Sequence, residues 1–168
     1  MKSVITLLII LVLLPINALA VEVYLFGKNT KDFKTSDTLQ IFLGMAASGA
    51  IHEIGHMVAL EANGVDYERN GLTCYYDNTG ETTENIISIA GFLAQTIFNA
   101  GAQLSKWRHT PFVFGSSVMA TVHPLFYPRD SDDYKTLEDN GKSSDAARIG
   151  FTALNAAMTA TLIRIEWN

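Results

Sequence analysis

Cysteine and charge are both scarce in this sequence. Cys74 is the only cysteine among 168 residues, so no intramolecular disulfide can form, and the fold depends on packing and on any metal that it binds. Charged residues make up 17% of the chain, whereas about one quarter is typical of a soluble domain. The low charge content predicts that most of the chain is buried, either in protein or in lipid.

Basic residues are also few, and they are scattered. The 12 Lys and Arg stand against 17 Asp and Glu. No cationic stripe is available to neutralise phosphates, which excludes nucleic acid as an expected partner. Because 168 residues suffice for one core but hardly for two, residues 21–168 are predicted to form a single domain.

The N-terminus has the layout of a secretory signal peptide. A short polar start with Lys2 precedes the apolar run 4–14, and the small residues of the triplet 18–20 favour cleavage after Ala20. The alternative is an uncleaved membrane anchor, because the uncharged stretch 3–21 is about as long as a bilayer is thick. Both interpretations predict an exported protein, located in a membrane (the inner or cytoplasmic membrane of a bacterium) or in the periplasm.

The next part of the chain predicts a long helix followed by a hairpin. Ser36 or Asp37 can cap a helix that runs to about Ala62, where Asn63 and Gly64 supply a left-handed stop. An extended segment, 21–26, is expected before this helix. After it, the turn residues within 66–83 flank a short β-prone run and favour a hairpin or an exposed loop.

Three further runs, 85–105, 110–128 and 149–163, are predicted to be helices, and none of them contains Asp, Glu, Lys or Arg. The first two are long enough to span a bilayer, and all three are rich in the small residues that allow close helix packing in membranes. A soluble helical core is the alternative, since amides such as Gln95 and Asn99 lie within the runs. The predicted fold is mainly α, a compact bundle of about four apolar helices with a short β-hairpin or extended segment, embedded in a membrane.

The chemistry is concentrated in the pentapeptide 52–56, which reads His-Glu-Ile-Gly-His. Residues four apart lie on the same face of a helix, so His52 and His56 can present two imidazole nitrogens to one Zn²⁺ ion. Glu53 lies beside that face and can serve as the general base for a water molecule that the zinc activates. This HExxH pattern predicts a zinc metalloprotease that hydrolyses peptide bonds.

A catalytic zinc site needs a third protein ligand, and the sequence leaves several candidates. Ala59 and Ala62 stand where the extended metzincin motif requires Gly and His, so that class is excluded. Each remaining candidate also has a structural interpretation: a helix N-cap for the aspartates, an acid near a helix N-terminus for the glutamate and a hydrogen-bonded core residue for the histidine. The candidates are Asp133, Asp132, Glu84 and His123.

The motif and its continuation resemble the site-2 protease family of intramembrane zinc metalloproteases, in particular its small exported relatives. After His56 the chain continues through Ala59 to Gly64-Val65, which is similar to the end of that family's active-site helix. Residues 90–95, Ala-Gly-Phe-Leu-Ala-Gln, are similar to the family's glycine-containing segment beside the active site. Phe92 and Gln95 depart from it, because proline and asparagine are usual there.

The resemblance implies proteolysis in or near a membrane and a third zinc ligand that is an aspartate on a later helix. That aspartate is commonly followed by glycine, and this sequence contains no Asp-Gly pair. Asp133, with Asp132 as its rival, is the nearest equivalent by order along the chain. The resemblance is most specific over residues 39–95.

The sequence therefore predicts a zinc-dependent endopeptidase at a membrane, with a protein or peptide substrate and with lipid as a partner. One alternative is a soluble periplasmic or secreted metallopeptidase whose uncharged helices form an ordinary core. Another is a zinc-binding membrane scaffold that has no catalytic turnover.

Overall fold

The computed structural model describes residues 21–77, 79–128 and 132–167, apart from the side chains of Val21, Asp132 and Trp167. The predicted leader, 1–20, lies outside the described residues. The helices are α1 Thr35–Ala62, α2 Glu81–Leu104, α3 Pro111–Phe126, α4 Asp132–Asp139 and α5 Ser144–Ala160, with a 3-10 turn at Thr30–Asp32. The strands are β1 Val21–Leu25, β2 Lys28–Asn29, β3 Tyr67–Asn70, β4 Thr73–Tyr76 and β5 Ile163–Trp167.

The fold is mainly helical, which confirms the predicted class at that level. Helix α1 ends where the sequence predicts. Gly64 has a φ of +66°, and the Val65 N–H donates to the Leu60 carbonyl at 3.0 Å, so the helix closes with the expected left-handed stop. The predicted N-cap is wrong. The helix begins at Thr35, and Asp37 stabilises it from within the first turn by accepting a 2.7 Å hydrogen bond from the Lys34 N–H.

Helix α1 packs against both α2 and α3, and glycine lets α1 and α3 come together. A Cβ atom on Gly44 would lie 2.0 Å from the Phe112 carbonyl oxygen, and one on Gly115 would lie 2.0 Å from the Ile41 carbonyl oxygen. The two backbones are therefore in direct contact, as in helix pairs built on small residues.

Two small antiparallel sheets accompany the helices. The predicted hairpin is confirmed as β3 and β4, and the predicted extended segment forms β1, which lies between β2 and β5. The last strand was not predicted. The sequence predicts one helix over residues 149–163, but α5 ends at Ala160 because pairing of Leu25 with Ile163 places the C-terminal segment in β5. Long-range pairing with β1 therefore overrides the local pattern.

Many polar side chains are buried, while apolar side chains cover much of the surface. Buried polar residues include Ser48, Gln95, Asn99, Ser117 and Asn155. Apolar residues that are more than half exposed include Leu39, Leu43, Val58, Ile97 and Ile149. Two helices in the described ranges, α1 and α2, are long and apolar enough by length and composition to cross a membrane. Only 33% of the apolar window in α1 and 39% of that in α2 are buried within the protein.

Candidate metal centre

Helix α1 brings the two histidines of the pentapeptide together. One helical turn separates His52 from His56, and their Nε2 atoms are 3.1 Å apart. His52 is 0% exposed and His56 is 9% exposed. The structure therefore places both imidazoles inside the bundle, with one nitrogen of each directed at the same point.

Asp133, from the first turn of α4, completes the cluster. Its Oδ2 atom lies 3.3 Å from His52 Nε2 and 3.4 Å from His56 Nε2. These three residues are the group in the described part of the chain whose side chains could hold a metal ion. Burial of Asp133 raises the pKa of its carboxyl, but its contacts with the two histidines outweigh that effect, so the pKa is held below its ordinary value. The carboxylate therefore stays anionic, as a metal ligand must be.

The three donor atoms fit a tetrahedral metal ion. Ligands that each lie about 2.0–2.1 Å from a tetrahedral zinc are about 3.3–3.4 Å from one another, and the measured separations are 3.1, 3.3 and 3.4 Å. Asp133 Oδ2 and His52 Nδ1 are buried without a hydrogen-bond partner, although such atoms in folded proteins are nearly always satisfied. A divalent cation would satisfy the orphaned carboxylate oxygen, so the residues fit the ion.

The backbone of α2 orients one of the two imidazoles. His56 Nδ1 lies 2.8 Å from the Ile87 carbonyl oxygen, an acceptor that places the ring proton on Nδ1 and leaves the Nε2 lone pair for the cluster. Histidines that bind metals are commonly fixed in this way by a carbonyl or a carboxylate.

A glycine on α2 makes room for both rings. A Cβ atom on Gly91 would lie 2.5 Å from His56 Nε2 and 2.6 Å from His52 Cε1, closer than any side chain can approach without displacing them. The segment 90–95 thus lies directly against the candidate metal centre.

His123 borders the cluster without joining it. Its ring centroid is 4.6 Å from that of His52, and its Nδ1 atom is 3.1 Å from Gln95 Oε1. The Gln95 amide in turn donates to Ser48 Oγ at 3.1 Å. A chain of polar side chains from α1 and α2 therefore holds this imidazole on α3, which is the hydrogen-bonded interpretation considered from the sequence.

The two remaining candidates for the third ligand are Glu84 and Asp132. Glu84 sits in the first turn of α2, where its carboxylate accepts from the Thr79 N–H and from the Asn140 amide. It is not part of the cluster. Asp132 begins α4, but its side chain lies outside the described residues.

Glu53 lies beside the metal cluster and is partly buried. Its carboxylate is near enough to interact electrostatically with His56 and with Cys74 of the hairpin. Across the described ranges, no hydrogen bond or ion pair occupies that carboxylate.

The sequence assigns no role in the site to Tyr134, which follows Asp133, or to Arg148. Tyr134, next along α4, is fully buried, and Arg148 of α5 lies over its ring with Cζ 5.5 Å from the ring centroid. In the sequence Arg148 stands out only as a charge at the edge of the uncharged run 149–163.

Comparison with protein-family models, with curated proteins and with solved structures finds no match to this chain.

Proposed function

We propose that this chain is a zinc-dependent endopeptidase that acts in or at a membrane. His52, His56 and Asp133 are the proposed zinc ligands, and Glu53 is the proposed general base. The observation that carries the proposal is the triangle of buried donor atoms, whose separations of 3.1, 3.3 and 3.4 Å suit a tetrahedral ion that retains one open position.

When bound, zinc would supply Lewis acidity and lower the pKa of a water molecule toward neutrality. The chain's own residues perform the remaining tasks. Glu53 accepts the proton of the attacking water and returns it to the leaving amine. The Ile87 carbonyl fixes the tautomer of His56, and Gly91 leaves the space that the imidazoles need.

The distribution of side chains supports a membrane location. The helices α2, α3 and α5 are joined by buried hydrogen bonds: Asn99 donates to Asn155 at 2.8 Å, Asn155 donates to Thr96 at 2.9 Å, and Ser117 donates to Asn99 at 2.5 Å. Such bonds connect helices in lipid, where the outer surface is apolar. In a membrane, the exposed Leu, Ile and Val side chains of α1 and α2 would face acyl chains. The amides of Gln95 and Asn99 are buried inside the bundle, away from the lipid.

The resemblance to site-2 proteases agrees with this proposal in the order of its parts. The histidine pair comes first, the glycine-containing segment second and an aspartate on a later helix third. In this chain that aspartate is Asp133, and it precedes Tyr134 rather than glycine. A protein or peptide segment is accordingly the proposed substrate.

The test compares the wild-type chain with Glu53→Gln, both purified in detergent. Zinc content is measured by mass spectrometry, and cleavage is measured with fluorescent casein and with a set of apolar peptides. Both proteins should hold one zinc per chain, and the substitution should lower the cleavage rate by about 10²–10⁴-fold, the usual contribution of a general base.

Three outcomes would contradict parts of the proposal. Zinc retained by both proteins with cleavage by neither would support the scaffold alternative. Equal cleavage by both would remove Glu53 as the base. Recovery of the wild-type chain from cells in the supernatant after detergent-free extraction would support the soluble alternative.

A further inference from the structure

Two side chains outside the metal cluster hold the short helix that carries Asp133. We propose that Tyr134 and Arg148 are positioning residues for the metal centre, because together they fasten α4 to the C-terminal end of α3. This inference rests on the proposed metal site and adds to it the groups that keep the third ligand in place.

Helix α4 needs such support because it has only 8 residues, and isolated helices shorter than about 12–15 residues are marginal in water. Tyr134 anchors it by packing. The side chain is 0% exposed, and its ring stacks on that of Phe92 with centroids 5.3 Å apart and planes 11° apart. The Phe92 ring also contacts His52, at a centroid distance of 4.5 Å. One aromatic residue therefore touches both the anchor of α4 and a proposed ligand.

The hydroxyl group of Tyr134 provides a second attachment. It donates a 2.8 Å hydrogen bond to the Pro124 carbonyl oxygen, within the last turn of α3. Carbonyls in the final turn of a helix have no partner inside the helix and must find one elsewhere. The bond thus gives the Pro124 carbonyl of α3 a partner and also fixes the residue next to Asp133.

Arg148 of α5 also binds the C-terminal end of α3. Its Nη2 atom donates to the Leu125 carbonyl at 2.6 Å, its Nε atom donates to the Pro124 carbonyl at 3.3 Å, and its guanidinium lies over the Tyr134 ring. A planar fork can make both hydrogen bonds while stacking, which a lysine ammonium cannot do. A cation at this end of α3 also complements the helix dipole.

The metal site should be more sensitive to this contact than the rest of the fold. Asp133 Oδ2 must stay 3.3 and 3.4 Å from the two imidazole nitrogens, whereas the remaining helices are joined by their own contacts. Groups that orient metal ligands typically affect affinity about 10–100-fold. We expect Arg148→Met to weaken zinc binding about tenfold, at the lower end of that range, and Tyr134→Phe to weaken it by a smaller factor of about three.

The experiment measures zinc affinity of the full chain in detergent by competition with a chelator, together with the melting temperature of the metal-free protein. The matched controls are Arg164→Met and Tyr24→Phe, since Arg164 lies over the Tyr24 ring with Cζ 4.4 Å from its centroid in the sheet of β1 and β5. The control variants should keep wild-type zinc affinity. Tyr134→Phe removes one hydroxyl group only and is the variant to rely on if Arg148→Met fails to fold.

A second background separates positioning from general destabilisation. In a chain that already carries Asp133→Ala, Arg148→Met should cause no further loss of the residual zinc affinity, because the ligand that it positions is absent. An equal loss in both backgrounds, or a loss matched by the controls, would overturn the positioning role while leaving the metal site intact. Failure of the wild-type chain to bind zinc would instead overturn both the site and this inference.

Discussion

Gly91→Ala tests whether the metal centre depends on the space that α2 leaves beside the histidines. The added Cβ atom would lie 2.5 Å from His56 Nε2, 2.6 Å from His52 Cε1 and 2.7 Å from His52 Nδ1. Ordinary contacts between such atoms are about 3.5 Å, so the rings or the helix must shift by about 1 Å. A shift of that size is large beside the ±0.2 Å or so within which metal–ligand distances are expected to hold.

The expected effects on folding and on zinc binding differ in size. Alanine is favoured over glycine in a helix by about 1 kcal/mol, and overpacking a buried site costs about 1–3 kcal/mol. The free energy of unfolding of the metal-free protein should therefore fall by only about 0–2 kcal/mol. Zinc affinity should fall at least about 100-fold, the upper end of the range for disturbed ligand orientation, because both imidazoles are displaced.

The assay is chelator competition for zinc affinity and thermal unfolding of the metal-free protein in detergent. Gly101→Ala is the matched control, since it lies on the same helix and its added Cβ meets nothing within 4 Å. That variant should keep wild-type zinc affinity and gain up to about 1 kcal/mol of stability. Wild-type zinc affinity in Gly91→Ala would contradict this prediction, because it would mean that α2 does not crowd the two rings.

Two further predictions follow from the structure. Asp133→Ala should lower the zinc content of the purified protein well below one per chain and leave only weak binding by the two imidazoles, whereas His123→Ala should retain one zinc per chain. The opposite pattern would make His123 the third ligand. Gly115→Ala should destabilise the protein by about 1–3 kcal/mol, because its Cβ would meet the Ile41 carbonyl oxygen at 2.0 Å. Gly150→Ala, whose Cβ meets nothing within 4 Å, should be neutral or stabilising in the same melting experiment.

Local signals predicted most of the helical framework. The stop of α1 at Gly64 and the hairpin of β3 and β4 depend on residues close together in sequence. The predicted start of α2 at residue 85 is four residues late, because the helix begins at Glu81 and holds both Glu81 and Glu84 in its first turn, where acids are favourable. Strand β5 was missed because its partner, β1, lies at the other end of the chain.

The same distinction between local signals and long-range packing applies to the candidate metal centre. The four-residue spacing of His52 and His56 fixes their common face within one helix, so sequence alone could place that pair. Asp133 remained one of four candidates because no local pattern gives the distance between α1 and α4. The contacts of Arg148 with the Pro124 and Leu125 carbonyls depend on how α3 and α5 pack. The residues around Arg148 indicate only its ion pair with Asp145, three residues earlier on the same helix.

X-ray absorption at the zinc edge of the purified wild-type chain would identify the ligands of the proposed metal centre. We expect one zinc per chain with two imidazole nitrogens and oxygen ligands at about 2.0–2.2 Å and with no sulfur ligand. Absence of stoichiometric zinc would contradict it, and so would a sulfur ligand at about 2.3 Å, which would point to Cys74 in place of the cluster formed by His52, His56 and Asp133.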